Sequence, residues 1–323
     1  GVLTGNNNRF LRLWHEVSIN KVGFTMKSHD DMVESGLKWF PVTSGGFMRK
    51  WYGNFDTVVD LENDGLDIRT TVKNYRLREP TYYFKEAITW TEVSSGMFSC
   101  RFVPEGILFG NGGPVCFISH ADIYYCLGLL NSNVVMSILS YLAPTINYGP
   151  EQISKIPLLQ DKTEEVSEIV QNCIDISRND WNSFETAWNF LSHPLVRSVT
   201  NISEAFCAWT NYCKRWFNRH KENEERLNQI FIELYGLEGE VSKEIDDKTV
   251  TVSIQDCGRD IRSLLSYAVG CMFGRYSLDV PGLAYAGGER DDSKYHTFIP
   301  DKDNILPITD EESDAVVAFL KTL

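Results

Sequence analysis

The sequence predicts an α+β protein in two parts: a mixed α/β domain over residues 1–160, followed by a mainly α-helical domain over 161–323. Three observations lead there. Residues 1–120 are rich in Gly, Asn and Thr and carry only short apolar runs, the pattern of strands joined by long loops. From about Ala121 apolar residues recur at helical spacing. Charge divides in the same way, with 14 Lys+Arg against 15 Asp+Glu in residues 1–160 and 17 against 29 in 161–323. A chain of 323 residues is long enough for two cores.

Taken in order, Val58–Leu61, Met97–Val103 and Gly106–Phe109 read as strands. Turns are marked by Gly45-Gly46, Asn63-Asp64-Gly65, Gly96 and Asn111-Gly112-Gly113-Pro114. Tyr124, Leu127 and Leu130 begin a helix that breaks at Asn131-Ser132. Val134, Val135, Ile138, Leu139 and Leu142 form the next one, which Pro144 stops. Asp161 with Glu164 reads as a capping box opening a helix with Val166, Val170 and Ile174 on its apolar face. A long helix is expected over Ser203–Tyr235, closed by Gly236. Another is expected over Asp260–Tyr276, where Ser266, Gly270 and Gly274 form a small-residue line suited to close packing. Thr309 with Glu312 is a further capping box.

Composition excludes several classes. The apolar share of 43% and charged share of 23% are those of an ordinary globular protein. A net charge of −13 speaks against a generally basic nucleic-acid binder, but the field near a surface follows local charge, and the first half is almost neutral. Eight cysteines without a C-x-x-C pair read as buried free thiols in a reducing cytoplasm. Six scattered histidines give no metal-ligand spacing. The uncharged run Ile123–Pro150 is interrupted by Asn131, Ser132, Asn133 and Pro144, which reads as a buried helix pair and not a membrane span. Neither end looks like a natural terminus, so a piece of a longer polypeptide is expected. The acidic residues Asp291-Asp292 and Asp310-Glu311-Glu312 read as solvated surface or as a docking face.

The distinctive stretch runs from Lys38 to Arg101, where cations and aromatic rings alternate with no catalytic constellation among them. Cations neutralise phosphates and rings stack on bases, so the mixture suggests a surface that reads nucleic acid. The candidate cations are Lys38, Arg49, Lys50, Lys73, Arg76, Arg78, Lys85 and Arg101. A solvated, charge-balanced face is the competing reading, since Glu62, Asp64, Asp67, Glu79 and Glu86 lie close by. The candidate rings are Trp39, Trp51, Tyr52, Tyr75, Tyr82, Tyr83 and Trp90, with packing the default for each and two or three of the seven reaching a groove as the functional reading. Asn7 and Arg9, in Asn6-Asn7-Asn8-Arg9, are placed at the DNA or in a turn before a helix.

Longer strings carry a resemblance. G-V-L-T-G-N-N-N-R-F-L-R-L-W at Gly1–Trp14, K-W-F-P at Lys38–Pro41, R-K-W-Y-G-N from Arg49 and I-T-W-T-E-V-S-S-G at Ile88–Gly96 resemble the target-recognition region of PglX-type adenine-specific DNA methyltransferases of phage-exclusion (BREX) systems. G-L-L-N-S-N at Gly128–Asn133 and I-S-K-I-P at Ile153–Pro157 are also similar to the TaqI-like recognition domain and to type I restriction specificity subunits. L-N-Q-I-F-I-E-L-Y-G-L at Leu227–Leu237 and S-Y-A-V-G-C-M-F-G-R-Y-S-L-D at Ser266–Asp279 resemble the helical region of the PglX-type proteins.

The resemblance implies sequence-specific recognition of double-stranded DNA by residues 1–160, with 161–323 as a helical C-terminal domain. It also implies methyl transfer from S-adenosylmethionine elsewhere in the polypeptide, because the N-P-P-Y-type motif of the family is missing and no two prolines are adjacent. No cofactor and no catalytic residue are therefore expected within this chain. Its expected partners are duplex DNA, its own N-terminal methyltransferase domain and other defence-system subunits, in the cytoplasm and without a membrane. A protein-assembly module with no direct DNA contact is the alternative, favoured in the acidic second half.

Overall fold

The computed structural model describes residues 1–301 except 44, 95–96, 144, 197–200 and 288, together with 305, 319 and 321–322. The protein is α+β. Its chain forms two compact units, Gly1–Arg178 with Asn218–Val252, and Asn179–Phe217 with Ser253–Leu323.

The strands of the first unit are β1 (Val2–Leu3), β2 (Leu11–Leu13), β3 (Trp39–Thr43), β4 (Thr57–Asp60), β5 (Arg76–Leu77), β6 (Ala87–Trp90), β7 (Cys100–Val103), β8 (Leu108–Phe109) and β9 (Val115–Cys116). They pair as a four-stranded sheet in the order β2-β4-β3-β8, a three-stranded sheet β7-β6-β9 and a two-stranded ribbon β1-β5. Pro41 sits inside β3, where it can donate nothing to a ladder. It is tolerated because β8 pairs only with Val42 and Thr43. Phe40, Val42, Val59, Leu61, Phe84 and Leu108 form the core beneath these strands.

The helices are α1 (Asn7–Phe10), α2 (His29–Ser35), α3 (Glu62–Thr71), α4 (Ile123–Leu130), α5 (Asn133–Leu142), α6 (Pro150–Ile153), α7 (Thr163–Trp181), α8 (Ile202–Tyr235) and α9 (Cys257–Met272). Asn63, Asp64 and Gly65 all have positive φ, so the turn expected there breaks the first part of α3. Ser132 caps α5 by accepting from Val135 N. The apolar run is a pair of helices bent by 66°, and among the described residues no single helix is long and apolar enough to cross a membrane. Gly128 explains why helical residues beyond 160 join the first unit: a Cβ there would lie 2.8 Å from Val170 and 3.3 Å from Val166. Only glycine lets α7 approach α4 this closely.

The second unit packs Phe190, Tyr267, Ala268, Cys271, Met272 and Tyr276 together. Asp256 caps α9 through Arg259 N, and Trp209 Nε1 donates to buried Asp260 at 3.1 Å. Gly270 gives room to the Tyr276 ring, which a Cβ would meet at 2.6 Å. Of the expected small-residue line, Gly270 and Gly274 serve packing within this unit, while Ser266 is exposed and Gly274 lies beyond the end of α9.

Some expectations need correction. Asp161 does not open α7, which starts at Thr163 after Lys162 in a left-handed conformation with φ 49°. The cysteines are free, but Cys207 and Cys257 are exposed and Cys116 is half-buried. Gly96, Pro144, the Thr309–Glu312 capping pair and the acidic residues 310–312 lie outside the described residues.

Candidate nucleic-acid interface

The first unit sorts the cations of the Lys38–Arg101 stretch by what lies opposite them. Lys38 Nζ is 3.0 Å from Asp60 and 2.8 Å from Glu62, and hydrogen bonds to Glu62 and Asp60 raise its pKa. Arg9 holds both Asp67 oxygens, at 2.9 and 2.7 Å. Arg49 donates to the carbonyls of Tyr52 and Ser177. All three are spent largely on the protein itself.

Lys50 and Trp51 are withdrawn further. Lys50 Nζ meets Glu224 Oε2 at 2.7 Å and Trp51 Nε1 donates to Glu224 Oε1 at 2.6 Å, all out of solvent. His220, fully buried, lies edge-on to the Trp51 ring, with Nε2 3.3 Å from the same carboxylate. Burial pushes the Glu224 carboxyl up, but Lys50 and His220 outweigh it and hold it at about 2. Trp51 has φ 69°, a strained conformation for an aromatic residue. Its backbone is fixed there by Trp51 N donating to Cys100 and Phe102 N donating to Trp51, both at 2.8 Å.

The remaining rings divide too. Tyr52 is buried under the Arg178 guanidinium, 5.0 Å from its centroid. Tyr83 is part of the core, its phenol pushed up to about 12 by burial. Trp39 is half-buried beneath the Lys38 ammonium. Tyr75 packs partly on the core, whereas Tyr82 is exposed, leaning on Phe117 with Lys85 Nζ 5.7 Å from its centroid. Arg101 is 1% exposed, with Nη2 3.4 Å from the Gly45 carbonyl, and burial lowers its pKa to about 10. Lys50, Trp51, Tyr52, Tyr83 and Arg101 were expected at a duplex; burial removes these five from the groups it can touch.

Lys73, Arg76 and Arg78 behave differently. All three are exposed, and their side chains make no hydrogen bond or ion pair among the described residues. They lie on or beside β5, where alternation sends Tyr75 and Leu77 toward the core and leaves Arg76 and Arg78 outward. β1 pairs with β5 in antiparallel register, Val2 opposite Leu77 and Leu3 opposite Arg76. Beside this ribbon is a cavity of about 300 Å³ lined by Arg76, Arg78, Glu92, Asn111 and Gly113. A second, of about 250 Å³, shares Gly110 and Asn111 with it and reaches Asn7 and Thr43. Asn7 accepts from Thr4 Oγ1 at 2.8 Å and is exposed. The Asn111–Gly113 turn is therefore the shared lining of both cavities.

No family model matches the chain. It is 43% identical to "Adenine-specific methyltransferase PglX" of Lacticaseibacillus casei (strain Zhang), across 97% of this chain and 27% of that protein. It is 34% identical to "Adenine-specific methyltransferase BrxX" of Escherichia coli O9:H4 (strain HS), across 95% of this chain and 27% of that protein. The chain is homologous to a segment of the PglX-type adenine-specific methyltransferases. It spans about a quarter of the length of these curated relatives. Within this PglX-type segment no group of three or more His, Cys, Asp or Glu able to hold a metal occurs among the described residues. Sequence reasoning missed Glu224 and His220, which decide the fate of Lys50 and Trp51. The one available signal was their spacing of four on an expected helix, which puts an acid and an imidazole on the same face. It also missed Phe47, an exposed ring directly after two glycines.

Proposed function

We infer that the first unit reads double-stranded DNA as the recognition segment of an S-adenosylmethionine-dependent, adenine-specific DNA methyltransferase. The observation that carries this reading is the set of three exposed cations, Lys73, Arg76 and Arg78, unpaired among the described residues, two of which, Arg76 and Arg78, line a cavity beside the β1-β5 ribbon. A guanidinium with no internal partner keeps its whole charge and both forks for a phosphate or for guanine O6 and N7. A two-stranded ribbon is one of the few elements that fits the major groove, and β1-β5 is such a ribbon. Asn7 and Asn111 next to it have the amide that pairs with adenine. Methyl transfer and S-adenosylmethionine belong, in this reading, to the rest of the polypeptide, which acts in the cytoplasm with other defence-system subunits.

The test is binding of the full-length protein to a short duplex at several salt concentrations. Arg76→Ala with Arg78→Ala should weaken binding and flatten the salt dependence by roughly two units of log–log slope, about 0.9 for each phosphate left without its arginine. Identical affinity and slope would reject the reading. A second reading, an assembly module, draws on Val93, Tyr141 and Ile146, apolar side chains that are 61%, 84% and 55% exposed. It predicts that replacing these three by polar residues disrupts a protein complex and leaves DNA affinity unchanged.

A further inference from the structure

Phe47 is 92% exposed, more than any other large apolar side chain described. This ring is presented by a pinned loop. Three successive carbonyls are each held from a different direction. Arg101 Nη2 lies 3.4 Å from the Gly45 oxygen, Thr91 Oγ1 donates to Gly46 at 3.2 Å, and Asn54 Nδ2 donates to Phe47 at 2.9 Å. Gly45 and Gly46 have φ of 83° and 120°, which only glycine adopts freely. A Cβ on Gly45 would strike the Gly112 oxygen at 2.8 Å, and one on Gly46 would strike Asn54 Nδ2 at 2.7 Å. The loop therefore lies against the Asn111–Gly113 turn, the same turn that lines the cavity of Arg76 and Arg78. Behind it the buried Arg101 guanidinium has no carboxylate partner among the described residues.

Resting on the DNA-recognition reading above, we propose that Phe47 is a wedge that enters the base stack beside the target adenine and occupies the space left when that base swings out. A rigid loop supplies what a wedge needs. Unstacking a base step is costly, and an apolar ring that arrives already oriented replaces the broken stacking without ordering itself first. The adjoining surface is also suitable, since the turn against which the loop lies also lines the cavity of Arg76 and Arg78, whose guanidinium groups can hold the backbone while the ring enters. Phe47 is then a positioning residue. It acts on the duplex, not on the methyl group.

The test uses the full-length protein and duplexes carrying its modified motif, first mapped by sequencing modified adenines in a host with the intact gene. One duplex is fully paired; the other has an abasic site opposite the target adenine, which lowers the cost of extruding that base. Phe47→Ala should bind the paired duplex within about twofold of wild type, methylate it ~10–100-fold more slowly, and recover near wild-type rates on the abasic duplex. Phe47→Trp should retain activity on both. Unaltered methylation by Phe47→Ala on the paired duplex overturns the proposal. So does a loss that the abasic duplex does not restore, which would assign the ring to a protein contact. Wild-type protein that fails to bind DNA overturns the recognition reading itself, a different result from an indifferent Phe47→Ala in a protein that binds.

Discussion

Met48–Tyr52 and Lys73–Arg78 are composed alike, each mixing cations with aromatic residues, and the fold puts them to opposite uses. In the first, Lys50 and Trp51 converge on Glu224 and disappear into the interior. In the second, Tyr75 and Leu77 turn to the core while Arg76 and Arg78 face out with no side-chain partner among the described residues. What separates them is the presence of a distant carboxylate. A cation that meets an acid in the fold contributes to stability, and one that does not is left for an external anion. The two segments should therefore respond to opposite measurements.

The largest effect is expected at the buried pair. Lys50→Ala leaves Glu224 charged in a site with almost no water, and should cost about 3–5 kcal/mol in denaturant unfolding. If the loss is under about 1 kcal/mol, the pair is not what holds this segment. A pH series sharpens the point. Glu224 is held at about 2, below its ordinary 4.5, so the folded state favours its ionised form. Its contribution is complete above the ordinary value and is lost as pH falls from about 4.5 toward 2. The unfolding midpoint of the wild type should fall across that window, and Glu224→Gln should flatten the fall. Parallel curves for the two proteins would remove Glu224 as its source.

The helices were legible from sequence because their signals are local. Ser132 caps the helix it precedes, and Gly236 ends α8 with φ 65°; the helix expected over Asp260–Tyr276 is instead Cys257–Met272, capped by Asp256. The Asn63-Asp64-Gly65 turn is equally local. Burial of Lys50 was not legible, since Glu224 is 174 residues away and no periodicity points across such a gap. For β5 the alternation was present in the letters, Tyr75 and Leu77 against Arg76 and Arg78, but two residues of strand are too few to fix a face. Asp161 misled for a related reason. Its capping box is real as a pattern, yet Lys162 takes a left-handed conformation and the helix begins one residue later. At Phe47 the turn was visible as Gly45-Gly46, while exposure of the ring depends on Asn54, Thr91 and Arg101 fixing the loop from other strands and turns.

The outward segment should show the converse behaviour. Arg76→Ala and Arg78→Ala should each weaken duplex binding by about 1–3 kcal/mol where the arginine reads a base edge, with unfolding changed by less than about 0.5 kcal/mol. A drop in stability with binding intact would erase the contrast between the two segments. The smallest effect is expected at Arg9, which lies between the two cases. It is exposed like Arg76 but paired like Lys50, with Arg9 and Asp67 side chains 50% and 49% accessible. Water screens such a pair, so Arg9→Ala should cost at most ~1 kcal/mol of stability. Because Asp67 already neutralises the guanidinium, the salt dependence of DNA binding should hardly change. Asp67→Ala is the more telling variant: it frees Arg9 without moving it, and should steepen the salt dependence by up to about 0.9 if Arg9 lies within reach of the phosphates. A slope that stays fixed in Asp67→Ala while falling in Arg76→Ala confines the DNA-facing charge to the β5 edge.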